Sequence, residues 1–546
     1  MKPTFLILDC FVDEPACLGV PPFMATYPRY VFGALLESNI YSENIYYLTI
    51  DFLRDNDYLL PEIFEKIFLI GGAVVPGKYL GSKIGTQAEI NKIIKLNPKQ
   101  TFVLNNLLSH LPYEAPNLIK LKNDLEKFAY HIAQGEWRDE KRTPKEIARW
   151  ATLGSQVAKK HPDWPHIICE IETFRGCPRQ KHCSFCSEGL FPQIESRKEK
   201  DIIKEVDALI SQGISKFRIG RQADILQYQT QFSELKQGFP KPEITPLKNL
   251  FAALKERKDS GKIETLNIDN ANPGTIINFP KEASLILEQI TKAITPGDTL
   301  ALGIESFDPT VIKMNNLKVN STEAIEVIKI INSIGGQRIN NIPILLPGLN
   351  LIHGLKGENL RTFEVNFKTL KQIKDLGLLL KRINIRKLYP FPGTPLYLDK
   401  PKINLGATNR FEYYKQKIRR EIDQTMLKKI YPLGTILKDC LILEESFNYS
   451  YGKQISSYSI TTKSPLLLKK KKFYDLMIIG HQERSVLTLP TDINIKTLSK
   501  KALTCLPGIS DSQASKIIIA QQDLSKEDLK KMFVRVNKEI VKQLNF

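Results

Sequence analysis

The sequence predicts an α/β protein of four units in series: a Rossmann-like domain (1–134), a partial (β/α)6 barrel (166–396), a small β-barrel-like module (434–490) and a C-terminal helix-hairpin-helix (491–546). A linker at 135–165 and a helical linker at 397–433 join them. Three observations carry this reading. β-like and helix-like runs alternate through the first 396 residues, the pattern of parallel sheets with helical crossovers. Short strand-like runs occupy 434–490, and a Leu-Pro-Gly-Ile turn at 506–509 separates two helix-like stretches. A chain of 546 residues also exceeds one ordinary core and predicts three or four domains.

In the first unit, strands are read at 5–9, 45–50, 67–71 and 101–104, with helices at 30–38 and 87–94. Gly71 and Gly72 end a strand, where open sheets bind ligands, although a plain tight turn is the simpler account. The linker holds Trp137, Trp150 and Trp164 and a helix at 144–151, and is expected to pack one domain on the next. In the second unit, strands are read at 166–171, 217–220, 265–269, 299–304, 339–345 and 382–388. Helices fall between them at 199–211, 247–255, 282–293, 322–334 and 360–376, the first showing amphipathic spacing of Ile202, Ile203, Val206, Leu209 and Ile210. Six β/α units imply a parallel sheet curled into a partial barrel, with its chemistry at the C-terminal strand ends.

The stretch from Glu172 to Glu188 holds Cys177, Cys183 and Cys186 on a loop leaving the first barrel strand, with Gly176 and Pro178 as loop punctuation. Clustered soft thiolates suit iron-sulfur or zinc ligation, and three of them leave one coordination position for something other than cysteine. From these residues alone three readings stand: an iron-sulfur cluster, a zinc knuckle completed by His182 or Cys169, and unligated structural thiols.

The loop resembles that of the radical S-adenosylmethionine (SAM) superfamily, where the usual spacing is x3 then x2 with an aromatic residue before the third cysteine. Phe185 and Cys183-x2-Cys186 fit, while the first gap here is five residues, which lengthens a loop without moving the strand. Further segments resemble the same superfamily in order: Gly220-Arg-Gln-Ala-Asp224, where Gly-Gly-Glu often stands, Gly303-Ile-Glu-Ser306, Pro347-Gly-Leu-Asn350, Gly354-Leu-Lys-Gly-Glu358 and Phe391-Pro-Gly-Thr-Pro395. Asp269 and Asn270 face the same cavity or form an Asx-turn. The resemblance implies a 4Fe-4S cluster on Cys177, Cys183 and Cys186, SAM on the open iron, reductive cleavage to a 5′-deoxyadenosyl radical, and a low-potential electron donor. It implies SAM contacts for Gln222 and Asp224, for Glu305 and Ser306, and for Gly348, Asn350 and Gly354 beside the adenine. The reaction would be of transferase or oxidoreductase type.

Cobalamin, which several such subfamilies carry in an N-terminal Rossmann domain, is possible but unsupported. The Asp-x-His-x-x-Gly signature is missing; Asp13 to Gly19 occupies the equivalent loop, and no histidine precedes His110. Only Cys10 and Cys17 lie in this unit, too few for the second cluster of methylthiotransferases, and are read as buried thiols.

In the third unit, strands at 436–444, 454–461, 473–479 and 485–489 predict a five-stranded barrel, OB-like or similar to the RNA-binding TRAM module. The run Lys469 to Lys472 is a solvated turn or, with Tyr449, Tyr451, Tyr458, Phe473 and Tyr474, a stacking platform whose Lys470 and Lys471 touch phosphate. The last unit looks like a helix-hairpin-helix, in which Pro507, Gly508 and Ile509 turn backbone N–H groups toward phosphate and Lys500, Lys501 and Lys516 assist. Such hairpins also serve as plain interaction modules, and Cys505 is read as a buried hairpin residue. The order of units resembles the archaeal radical SAM proteins with a C-terminal helix-hairpin-helix motif.

A formal net charge of +19 points to a polyanionic partner, RNA before DNA. No apolar run reaches the roughly 18 residues of a membrane span. The stretch 2–12 is too short for a signal peptide and contains Asp9. Eight cysteines do not form a disulfide framework, so a soluble cytoplasmic protein without a membrane partner is expected. Two alternatives accompany nucleic-acid modification: a nucleic-acid-binding protein with a structural or redox-sensing cluster, and a radical SAM enzyme acting on a small molecule or peptide.

Overall fold

The computed structural model describes residues 3–11, 22–72, 80–191, 194–399, 407–491, 493–521 and 525–546. Strand β1 (Phe5–Asp9) is apolar over Phe-Leu-Ile-Leu and buried throughout, as a strand covered on both faces must be. After it, β2 (Phe23–Met24) leaves for a different sheet, and helix Thr26–Glu37 returns the chain to the first. With β3 (Ile45–Thr49), β4 (Lys66–Ile70), β5 (Phe102–Leu104) and β6 (Leu118–Lys120), β1 forms a parallel sheet of order β3-β1-β4-β5-β6. Helix Gln87–Leu96 begins where Thr86 and Glu89 close a capping box. Strand β6 escapes the sequence reading because it is three residues long and only partly buried. Gly71 and Gly72 follow β4 as expected, but Asp13 to Gly19, with Cys17, lie outside the described residues.

The stretch 135–165 is a packing layer rather than a bare linker. Helix Pro144–Leu153, started by a Thr143–Glu146 capping box, lies on helix Thr26–Glu37 and on helix Glu199–Ser211 of the next unit. Trp150 is buried with its Nε1 donating to Glu37 (2.6 Å), whereas Trp137 and Trp164 are exposed. The helices meet at Gly33 and Gly154: a Cβ on Gly33 would overlap the Trp150 carbonyl oxygen, and one on Gly154 the Arg29 carbonyl oxygen. Gly33→Ala is therefore expected to cost about 1–3 kcal/mol through forced separation of the helices, read as a lowered midpoint in urea unfolding.

The second unit runs through β7 (Ile168–Glu172), the short antiparallel pair β8 (Phe174–Arg175) and β9 (Glu195–Ser196), and β10 (Lys216–Gly220). The hairpin β11 (Leu235–Lys236) and β12 (Phe239–Pro240), then β13 (Thr265–Ile268), β14 (Asn270–Ala271) and β15 (Asp298–Glu305) follow. After the hairpin β16 (Arg338–Ile339) and β17 (Ile342–Pro343) come β18 (Leu345–His353) and β19 (Arg382–Lys387). Two parallel sheets, β13-β10-β7-β2 and β14-β15-β18-β19, curl around one cavity, with the break between them at Asp269. The edge strand β2 was not foreseen. The strand expected at 339–345 is also displaced: Asn340 and Asn341, both at positive φ, turn a hairpin there, and the barrel strand starts at Leu345. Gly348 and Asn350 thus stand inside β18 rather than in a turn beyond it.

Asp298 bridges the break, its carboxylate accepting N–H groups of Ile268 and Thr299 (both 2.8 Å). Burial raises this carboxyl from 3.8 to about 7 despite those donors. Between those values the folded chain keeps a proton that the unfolded chain has released, so this group favours folding at low pH and that contribution fades as pH rises through the window. Asp298→Asn should flatten this part of the stability profile, measured as the wild-type minus variant difference from pH 4 to pH 7.

The third unit is a closed barrel of β20 (Ile436–Ser446), β21 (Tyr449–Gln454), β22 (Thr461–Ser464), β23 (Phe473–His481) and β24 (Ser485–Pro490). The single strand expected at 454–461 is instead a loop between β21 and β22, while Phe447 and Asn448, both at positive φ, make the β20–β21 turn. Helices Lys500–Thr504 and Asp511–Ala520, joined by a tight turn, share a core with Met477, Ile479 and Leu489 of the barrel. Among the described residues no helix is long and apolar enough to cross a membrane.

Candidate functional site

Cys177, Cys183 and Cys186 line a cavity of about 660 Å³ between the partial barrel and the closed β-barrel. Their loop is tied down at several points. Asn315 accepts Ser184 N–H at its carbonyl (3.1 Å) and Ser184 Oγ at its side chain (2.9 Å), and itself donates to the Lys356 carbonyl (2.7 Å). Leu396 N–H donates to the Ser184 carbonyl (2.8 Å). The long first gap has a use: Arg179, within it, donates to the carbonyls of Asn316 (2.6 Å) and Leu317 (3.1 Å) and to Cys183 Sγ (3.5 Å). Gln180 N–H holds the Gly238 carbonyl (3.0 Å). Burial pushes the Cys177 thiol up to about 11 and raises Cys186 well above its usual range.

Of the two candidate fourth ligands for zinc, only His182 lines the cysteines' cavity. Cys169 is fully buried in the main apolar core, and His182 Nε2 is engaged with the Cys177 carbonyl (3.1 Å). Among the described residues no group of three or more His, Cys, Asp or Glu side chains is gathered to hold one metal ion. A four-iron cluster asks something different, since each thiolate binds its own iron, and three thiols opening on one cavity fit that demand.

Lys318, which no motif had flagged, stands between the cysteines and Glu305. Its Nζ donates to the Gly303 carbonyl (2.9 Å) and pairs with Glu305 Oε1 (3.5 Å). Burial opposes its charge, but Cys183, Glu305 and Cys186 outweigh burial and raise its pKa. Burial raises Glu305, against the pull of Lys318 and Arg386, and Glu305 Oε2 is buried without a hydrogen-bond partner among the described residues. A Cβ on Gly303 would displace the Lys318 ammonium and the Glu305 carboxylate from their present positions.

Of the expected SAM-binding residues, Glu305, Gly348 and Asn350 line the cavity; Gln222, Asp224, Ser306 and Gly354 do not. Gln222 hydrogen-bonds Thr173 (3.3 Å) and the Ile219 carbonyl (3.1 Å). Asp224 accepts Leu226 N–H (3.1 Å) and Thr275 Oγ1 (2.6 Å), and burial raises its carboxyl to about 6. Ser306 caps Asp308 N–H (3.2 Å), and Gly354, at positive φ, donates to Glu358 (3.0 Å). Asp269 and Asn270 face the cavity, Asp269 paired with Arg218.

The closed barrel contributes the wall that sequence reasoning placed elsewhere. Tyr458, read as part of a stacking platform, sits over Arg382 (4.4 Å) and Arg218 (5.4 Å) with its hydroxyl donating to Asp269 (2.9 Å). The rest of that platform is also occupied: Tyr449 is covered by Lys463 (4.0 Å) and Lys501 (3.6 Å), Phe473 packs on His166, and Tyr474 accepts Lys469 N–H. Lys501 further donates to the Asn448 carbonyl (2.7 Å), so it ties the hairpin to the barrel. Gly508 has positive φ, and a Cβ there would overlap the Arg535 carbonyl, so its turn, flanked by Pro507 and Ile509, is backed by the chain's last segment. Lys470, Lys471 and Lys516 are exposed.

Residues 171–370 match the Radical SAM superfamily, and the chain is a radical SAM enzyme, of a class that uses a 4Fe-4S cluster and SAM. It belongs to one family with the uncharacterized protein MJ0274 of Methanocaldococcus jannaschii, to which it is 38% identical over 514 residues, 88% of this chain and 92% of that one. An uncharacterized protein of Archaeoglobus fulgidus is 34% identical over 521 residues, 92% and 93% of the two chains. Among solved structures, the radical SAM methyltransferase TsrM from Kitasatospora setae, with cobalamin and a 4Fe-4S cluster bound, aligns with TM-score 0.46 at 14% identity over 73% of this chain and 78% of that one.

Proposed function

We propose that Cys177, Cys183 and Cys186 hold a 4Fe-4S cluster beside a SAM site and that the enzyme modifies a nucleotide unit of a nucleic acid, RNA before DNA. The observation that carries the SAM site is the shared cavity of the three thiols, Glu305 and Lys318. When bound, the cluster and SAM supply reductive cleavage to methionine and a 5′-deoxyadenosyl radical. Glu305 Oε2, buried and without a hydrogen-bond partner among the described residues, would accept N–H donors of the SAM ammonium, with Oε1 held by Lys318. Gly348 lines the same cavity, and packing requires the glycine: a Cβ there would press on Thr299 and Arg382. The closed barrel, through the Tyr458 loop, forms one wall of the cavity. Support for a nucleic-acid partner is the net charge of +19 and the exposed Lys470, Lys471 and Lys516.

Protein reconstituted without air, reduced and given SAM should release 5′-deoxyadenosine, and more of it when the right RNA is present. An intact cluster that yields none across RNA, DNA and small-molecule pools would favour a structural or redox-sensing cluster. Stimulation by small molecules or peptides alone would move the substrate out of nucleic acid. The electron donor is expected to be a low-potential protein, replaceable in this assay by a chemical reductant.

A further inference from the structure

Glu188 lines the same cavity, two residues beyond Cys186 in the short 3₁₀ turn Ser187–Leu190. It is 4% exposed, and its two oxygens differ: Oε1 accepts Arg221 Nη1 (2.9 Å), while Oε2 is buried without a hydrogen-bond partner among the described residues. Arg221 Nη2 is also without one, so the pair meets through a single bond and not the two-bond fork that arginine and carboxylate can close. Both ends of the pair are fixed. Arg221 is completely buried, stands at φ +62°, a sparsely populated conformation for a residue with a side chain, and donates from Nε to the Tyr27 hydroxyl (3.1 Å). Its guanidinium lies 5.9 Å from the Tyr27 ring and 5.5 Å from the Phe191 ring. The turn that carries Glu188 is backed by His182, whose ring a Cβ on Gly189 would overlap. Of the two partners, Glu188 lines the cavity and Arg221 does not.

Arg221 meets the charge of Glu188, so what Oε2 lacks is a hydrogen-bond donor, and a buried acceptor left without one is costly. We propose that SAM supplies this donor: Glu188 Oε2 accepts an N–H of its amino group or an O–H of its ribose. It rests on the radical SAM reading above and adds a residue to that SAM site. Two residues of chain span at most about 7 Å, so Glu188 stays close to Cys186, and in this class SAM is the molecule that the cluster itself holds. The last torsion of a glutamate is soft, so a modest turn brings Oε2 onto the donor while Oε1 keeps Arg221. With Glu305, the cavity then presents two carboxylates to SAM, each anchored through one oxygen by a cation, Lys318 for Glu305 and Arg221 for Glu188.

The test measures SAM affinity, not turnover, by calorimetry without air on the full chain loaded with its cluster. Glu188→Gln keeps an oxygen for Arg221 and turns an NH2 group toward the donor, so it should weaken SAM about tenfold, the loss of one charge-assisted contact. Glu234→Gln, an equal loss of charge at an exposed pair with Lys241, should leave the affinity unchanged. Iron content and thermal unfolding are read on the same samples, and affinities are compared at equal iron. Three analogues then locate the donor: SAM without its amino group, 2′-deoxy-SAM and 3′-deoxy-SAM. The analogue that lacks the donor should bind wild type and Glu188→Gln within about twofold of each other, while the other two keep the tenfold difference. SAM binding equal in wild type and Glu188→Gln overturns this role alone, and so does an equal loss across SAM and all three analogues, which marks a structural or general charge effect. Wild-type protein with an intact cluster that binds no SAM overturns the radical SAM reading itself.

Discussion

Cys183→Ala protein is expected to lose 5′-deoxyadenosine formation to background, a fall of at least about a thousandfold, and to bind less iron after reconstitution. Cys183 is the most buried of the three thiols, at 5% exposure, and accepts the Arg179 hydrogen bond, so no neighbouring side chain can take its place. Cys169→Ala is the matched control: its thiol lies in the apolar core, and iron content should stay at the wild-type level. Iron lost from the Cys169 variant and kept by the Cys183 variant would refute the ligand assignment. Product chromatography and iron analysis on the same samples read both effects.

Glu205→Leu should be the most destabilising single substitution outside the site, by about 3–5 kcal/mol. Glu205 is completely buried and takes Arg29 (2.7 Å) on one oxygen and Arg197 (2.6 Å) on the other. Removing it takes from two interior guanidinium groups the carboxylate they share. Arg29 belongs to helix Thr26–Glu37 and Glu205 to helix Glu199–Ser211, so the substitution also loosens the N-terminal unit from the barrel. Urea unfolding should show a much lower midpoint, and Glu205→Gln, which keeps one acceptor, should lie between. A midpoint within experimental scatter of wild type would mean that water reaches these arginines.

The alternating strands and helices were legible because each carries a local signal: continuous apolar runs for buried parallel strands, 3.6-residue spacing for the helices, and Thr or Asn caps at their starts. The displaced fifth barrel strand had no such signal, since Ile339 and Ile342 look like strand residues and only the paired positive-φ asparagines make them a hairpin. The three cysteines were legible as a group on one loop, and the fold opens all three on one cavity. Lys318 was not, because it follows a helix-ending turn with no motif of its own and reaches Glu305 only through the fold. Tyr458 was misassigned for the same reason in reverse: its partners Arg218, Asp269 and Arg382 come from three barrel strands or strand ends far away in the chain. Gln222, Asp224, Ser306 and Gly354 had the right residue types at strand ends, and the fold places them outside the lining of the cysteine cavity.

The short strand β2 bears on how this architecture could be divided. Phe23 and Met24 pair with Ile168 and Cys169, so a piece of the first unit completes the edge of the second, and Phe23 packs with Ile168 and Ile455 of the third. A fragment beginning at residue 166 would leave the backbone of β7 bare along that edge and expose an apolar seam, the circumstances in which strands add to other chains. The units are therefore not interchangeable cassettes. Exchange of the N-terminal unit for that of a distant radical SAM protein would have to carry this two-residue graft with it to yield a dispersed, folded chimera.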